Sequence, residues 1–145
     1  MIALIQRVSQ ASVIVQYDLI SEIEAGILLL LGVEKQDTVE NAQMLLEKVI
    51  NFRIFEDNDQ KMNLSLLDTG GDLLIVPQFT LPANTQKGNR PSFASAAPPK
   101  LAESLYNQFI ELAQNKIKIV ATGKFGADMQ VRLINSGPVT FWLQK

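Results

Sequence analysis

Apolar residues in the first third of the chain fall into short runs parted by brief polar breaks. The runs cover residues 2–5, 13–15, 19–23 and 27–33; Gln16-Tyr17-Asp18 and Glu24-Ala25-Gly26 interrupt them. That spacing predicts a meander of antiparallel strands. From Thr38 the period changes. Ala42, Leu45, Leu46, Val49 and Ile50 recur at three- and four-residue steps, so the spacing predicts a helix with one apolar face, capped by Asp37 or Thr38. Asp57-Asn58-Asp59-Gln60 reads as a turn, Gly70-Gly71 as a break, and residues 72–76 as a strand. Residues 77–97 form a long connection that includes Pro77, Pro82 and Pro91, and connections of that length often carry function. Pro98-Pro99 suits a helix start, and Leu101, Ala102, Leu105, Phe109 and Leu112 line one face of the helix that follows. Three final strands are expected over residues 117–121, 129–134 and 139–143. The order predicts a single α+β domain over residues 1–145, with its helices on one side of the β structure.

Composition narrows the chemistry more than the fold. The chain has 145 residues, 47% apolar and 19% charged, which suits one globular core. The longest unbroken apolar run, residues 27–31, is far too short for a membrane span, so no membrane partner is expected. The start, Met1 to Arg7, lacks a signal-peptide layout and reads as a strand, which makes the cytoplasm the expected location. The net charge of −2 argues against coating nucleic acid through bulk charge. There is no histidine and no cysteine. A Ser-His-Asp triad, a Cys-His pair and thiolate or imidazole metal sites are therefore excluded, and no metal or cofactor is expected. Chemistry must come from backbone groups, hydroxyls, carboxylates, lysines or the substrate.

Two segments stand out on that ground. Pro77 lacks a backbone donor, so sheet pairing is expected to stop there, leaving the N–H groups of Gln78, Phe79 and Thr80 to face solvent or a cleft. Preorganised N–H groups of that kind stabilise oxyanions. The plainer reading is a strand end, with Phe79 in the core and Thr80 satisfying a turn. Near the C-terminus, Gly137-Pro138 reads either as a hairpin turn with a trans peptide or as a corner that pushes two carbonyl oxygens outward. Lys87 and Arg90 lie in a basic loop suited to a loose grip on phosphates, and Arg7 is an isolated charge able to brace a carbonyl-rich corner.

Seven stretches, in order, carry a resemblance that runs the length of the chain. They are Ile5-Gln6-Arg7-Val8, Leu31-Gly32-Val33, Asn51-Phe52-Arg53-Ile54-Phe55, Lys61-Met62-Asn63, Gln78-Phe79-Thr80-Leu81, Arg90-Pro91-Ser92-Phe93 and Asn135-Ser136-Gly137-Pro138-Val139-Thr140-Phe141. Together they resemble the D-aminoacyl-tRNA deacylases. The resemblance implies a three-layer β/β/α fold of mostly antiparallel strands with two helices on one side. It implies a homodimer with the active site at the subunit interface. It also implies hydrolysis of the ester between a D-amino acid, or glycine, and the 3′ acceptor end of tRNA. Gln78, Phe79 and Thr80 would line the carbonyl site, and the adenosine 2′-hydroxyl would assist water. Phe125 and Met129 would cradle the terminal adenine. Gly137 and Pro138, held by Arg7, would enter the partner's site with a cis peptide and bar L side chains with fixed carbonyls. The chain departs from the family pattern at Pro77, where serine is usual. A sister family of editing deacylases for glycyl and L-alanyl mischarges has proline there, and a non-catalytic dimeric paralogue that binds RNA ends is a further reading.

Overall fold

The computed structural model describes every residue except Lys87. The strands are β1 (Ile2–Val15), β2 (Asp18–Ile23), β3 (Gly26–Gly32), β4 (Phe55–Glu56), β5 (Met62–Leu64), β6 (Asp72–Pro77), β7 (Val120–Thr122) and β8 (Gln130–Gln144). The helices are α1 (Val39–Ile50), α2 (Leu66–Thr69) and α3 (Pro99–Gln114). The main sheet runs β2-β1-β3-β6-β7, with β8 on the other edge of β1. Strand β1 pairs antiparallel with three neighbours: β3 over residues 2–8, β2 over residues 11–15, and β8 along almost its whole length.

Two separate cores explain how one strand serves three partners. Ile27, Leu29, Leu31, Leu73 and Ile75 point toward the helices and pack with Leu45, Leu46, Val49 and Phe109. Leu28, Leu74 and Val76, on the opposite face, pack with Val8, Ala11, Val13 and Ile23. The far half of β1, with β2 and the start of β8, therefore forms a second β layer over the first. The result is the expected three-layer α+β arrangement. Central β3 and β6 are buried on both faces, which is why both read as unbroken apolar runs.

Helix α1 matches its apolar pattern: Ala42, Leu45, Leu46, Val49 and Ile50 are its buried residues. Thr38 is the N-cap, and its N–H donates to Asn41 Oδ1 at 2.9 Å. Asp37 is used otherwise; its carboxylate accepts the Glu34 N–H and the amino group of Met1. Helix α3 begins at Pro99 and buries Leu105, Tyr106, Phe109 and Ala113.

Several expectations change. The polar residues between the first two apolar runs do not break β1, because it is paired with both β3 and β8 at Gln6 and Val8 and with β8 at Gln10. Within a mostly antiparallel sheet, the pairs β3 with β6 and β6 with β7 are parallel. There are three described helices rather than two. One-turn α2 is capped by Ser65 and ended by Gly70 at φ +64°, and is too short to show a helical period. The two strands expected over residues 129–134 and 139–143 are one strand, β8. Hence Gly137-Pro138 is not a hairpin turn. Val8 faces Asn135 and Gln6 faces Thr140, so residues 136–139 stand out as a bulge opposite Arg7 alone.

Candidate functional site

The parallel strands β6 and β7 end side by side, and the chain leaves both to form a cavity of about 610 Å³. One wall is Pro77, Gln78 and Phe79. The facing wall is Phe125 and Met129, and Tyr106 of α3 closes the inner side. The first wall turns sharply, with the Leu81 N–H donating to the Gln78 carbonyl at 3.3 Å and the Ala83 N–H to the Thr80 carbonyl at 3.1 Å. The long connection is anchored to the segment that joins β3 to α1. The Lys35 N–H donates to the Ser95 carbonyl at 3.1 Å, the Ala97 N–H to the Val33 carbonyl at 3.0 Å, and the Ser95 hydroxyl to the Pro82 carbonyl at 2.6 Å.

Two expectations about the first wall are corrected. The Gln78 N–H does not face solvent; it donates to the Leu31 carbonyl at 2.8 Å and extends the ladder past Pro77. Phe79 is not in the core; it is 66% exposed and lies 5.5 Å from the Phe93 ring, centre to centre. Among the described residues, no acceptor in the chain meets the N–H of Phe79 or of Thr80. Those two donors remain available beside the cavity. The Thr80 hydroxyl accepts the Gln78 side-chain amide at 2.6 Å, which leaves its own proton free to donate.

The bulge at Gly137-Pro138 is braced from both sides. The Asn135 side-chain amide donates to the carbonyls of Arg7 and Val139, each at 3.0 Å, and accepts the Val139 N–H at 3.3 Å. The Arg7 guanidinium donates to the Ser136 carbonyl at 2.7 Å, the Ile54 carbonyl at 2.8 Å and Glu56 at 3.3 Å. A Cβ at Gly137 would sit 2.2 Å from the Val139 nitrogen and 2.5 Å from Asn135 Oδ1, so only glycine closes this turn. The Gly137-Pro138 peptide is cis, not trans, and both residues are exposed.

The structure thus brings Gln78, Phe79, Phe125 and Met129 together around one cavity, with Thr80 beside them. Arg7, Gly137 and Pro138 form a second cluster that does not line the cavity of its own chain. Arg90 is exposed, two residues from Ser92, which exchanges backbone hydrogen bonds with Asn84, and Lys87 lies outside the described residues. Sequence reasoning missed Tyr106. Its hydroxyl is buried within reach of the Ile75 carbonyl at 2.9 Å and the Gly123 carbonyl at 3.1 Å, and burial raises its pKa well above the ordinary tyrosine value. A tyrosine on the apolar face of a helix needs such a partner, and that was the available signal.

The fold and site define a class: an α+β domain whose site offers main-chain donors at parallel strand ends, without histidine, cysteine or, among the described residues, a metal-binding cluster. The family model described as D-Tyr-tRNA(Tyr) deacylase matches residues 4–144, and the chain belongs to that family. A D-aminoacyl-tRNA deacylase of Pseudoalteromonas atlantica is 60% identical over 143 residues, covering 99% of both chains. One from Escherichia coli O81 is 54% identical over 144 residues, again covering 99% of both. A solved structure titled c-Myc DNA Unwinding Element Binding Protein superimposes with a TM-score of 0.95 at 42% identity, covering 100% of this chain and 99% of that one. A probable eukaryotic D-amino acid tRNA deacylase shares the fold, with a TM-score of 0.87 at 17% identity, covering 99% of this chain and 98% of that one.

Proposed function

We propose that this chain hydrolyses the ester of D-aminoacyl-tRNA in the cytoplasm, releasing the free D-amino acid and tRNA. The observation that carries the reading is the pair of unpartnered N–H groups, of Phe79 and Thr80, beside an apolar cavity. Water adds to the ester carbonyl, and its oxygen gains negative charge. The two N–H groups and the Thr80 hydroxyl stabilise that charge; loss of one such donor costs about 3–4 kcal/mol in known hydrolases. The bond to the ribose oxygen then breaks, and that oxygen takes a proton. The chain supplies no imidazole, and, as the family resemblance implies, the neighbouring 2′-hydroxyl of the substrate relays the proton lost by the water to the departing ribose oxygen. Phe125 and Met129 hold the terminal adenine against the far wall, where stacking on an aromatic ring suits RNA. Arg90 and Lys87 touch the tRNA backbone.

Selectivity rests on the second cluster. The Gly137-Pro138 bulge stands clear of its own cavity, which suits the role the family resemblance implies, that of entering a partner's cavity in a homodimer. Arg7 and Asn135 hold the bulge through Ser136 and Val139, and the Gly137 and Pro138 carbonyls face the α-carbon of the bound aminoacyl group. An L side chain is driven into them, whereas a D side chain points away and glycine has nothing to exclude. Discrimination by rejection accepts many D-amino acids. Single-turnover deacylation of D-Tyr-, Gly-, L-Tyr- and L-Ala-tRNA tests this. Rapid release of D-Tyr and glycine with both L esters spared is the expected result. Equal release of D- and L-Tyr rejects the filter. Preference for L-Ala over D-Tyr transfers the chain to the editing activity, and no release at all leaves a binding protein.

A further inference from the structure

Proline at position 77 deletes one rung of the β6–β7 ladder, and the hydroxyl of Tyr106 stands where that rung would be. The register is Leu73 with Val120, Leu74 with Ala121 and Ile75 with Thr122. In this parallel ladder the odd residues of β6 turn their N–H groups toward β7: Leu73 donates to the Ile119 carbonyl at 3.0 Å. Ile75 receives the Gly123 N–H on its carbonyl at 2.8 Å. One step further on, residue 77 would donate to the Gly123 carbonyl, but Pro77 has no N–H. That carbonyl is buried, and an unpartnered buried carbonyl is destabilising by about 1–3 kcal/mol. Among the described residues, the one donor that reaches it is the Tyr106 hydroxyl, at 3.1 Å. The same hydroxyl is 2.9 Å from the Ile75 carbonyl, which the Gly123 N–H already serves. Its single proton is therefore needed at Gly123.

The position of Gly123 matters for the cavity. A Cβ there would lie 2.9 Å from Pro77 Cδ and 3.0 Å from Met129 Sδ, so the residue is wedged between the two walls. The next N–H, of Lys124, donates to Met129 Sδ at 3.3 Å, and the Phe125 ring packs 6.0 Å from that of Tyr106.

We propose that Tyr106 is a positioning residue whose hydroxyl replaces the backbone donor missing at Pro77, holding Gly123 so that the Phe125–Met129 wall keeps its distance from Gln78 and Phe79. Its bearing on catalysis rests on the deacylase reading; the pairing of Tyr106 with Pro77 does not.

A double-mutant cycle of Tyr106→Phe and Pro77→Ala tests it, because alanine restores an N–H at residue 77 without adding a hydroxyl. In the parent chain, Tyr106→Phe is expected to lower Tm by about 3–5 °C, the scale set by one hydrogen bond in a domain of this size. It should raise KM for D-Tyr-tRNA about three- to tenfold with kcat within about twofold, since the wall binds the substrate and does not react. In the Pro77→Ala background both effects should shrink to less than half. Equal effects of Tyr106→Phe in the two backgrounds overturn the proposal, as does no effect in the parent chain. If Tyr106→Phe alone fails to fold, recovery of folded protein in the double variant supports the pairing, and failure of both to fold refutes it. A parent chain that releases no D-Tyr ends the deacylase reading, and the Tm cycle then decides the pairing alone.

Discussion

Substituting Gly137 by alanine confronts a fixed backbone with one methyl group. The added Cβ would lie 2.2 Å from the Val139 nitrogen and 2.5 Å from Asn135 Oδ1. Ordinary carbon contacts sit near 3.5–4.0 Å, so the bulge must open by about an ångström. Asn135 is the latch across that opening, and its two bonds to Val139, at 3.0 and 3.3 Å, are the ones that stretch. At about 1 kcal/mol each, their loss disfavours the native corner by about 2 kcal/mol, or roughly thirtyfold in population. The β1–β8 ladder continues on both sides of the bulge, so the fold survives. The Tm should fall by no more than about 4–8 °C even if the whole penalty reaches global stability. Single-turnover deacylation should report a different scale. Release of D-Tyr from D-Tyr-tRNA should slow about thirtyfold or more at a temperature where circular dichroism shows the variant folded. A folded variant whose D-Tyr and L-Tyr rates both stay within twofold of the parent would refute the corner's place in the site.

Other outcomes follow from the same contacts. Arg7→Lys keeps the charge but cannot serve the Ser136 and Ile54 carbonyls together; D-Tyr release should drop about tenfold while Tm changes little, measured on the same substrates. Phe125→Ala should raise KM for D-Tyr-tRNA about tenfold or more, the scale of one lost base stack, with a smaller change in kcat. For Asp57 the Lys61 N–H and then the Asn63 amide, and for Asp68 the Ser65 hydroxyl and N–H, hold each carboxyl below its ordinary pKa. Their contribution is complete above the unfolded value near 3.9 and disappears as pH falls through the folded one, so Tm should be flat from pH 7 to 5 and decline below about 4. Burial raises Tyr106 instead, so its contribution is complete below about pH 10 and is lost as pH climbs through the higher folded value; thermal scans in alkali should show Tyr106→Phe losing that limb.

Periodicity alone was enough for the pieces whose stability is local. The five buried residues of α1 are those its three- and four-residue spacing selects, and α3 begins at the prolines that suit a first turn. The absence of histidine and cysteine already confined the chemistry to backbone groups, hydroxyls, carboxylates, lysines or the substrate. Ordered motifs then pointed to Gln78-Phe79-Thr80 and to Gly137-Pro138. Tertiary structure decided whatever depended on a partner far away in sequence. The polar residues from Gln6 to Gln10 interrupt the apolar runs, yet pairing with β3 as far as Val8 and with β8 at Gln10 keeps them in β1. An N–H at Gln78 looks free until Leu31, in another strand, accepts it. Gly137-Pro138 looks like a turn until β1 pairs with the chain on both sides of it and leaves a braced bulge. The orphaned carbonyl of Gly123 and its donor on α3 have no local signature, because hydrogen bonds between distant segments are set by packing. A residue's own neighbours in sequence determine its helical or extended preference, whereas the saturation of its polar groups is settled only once the layers close.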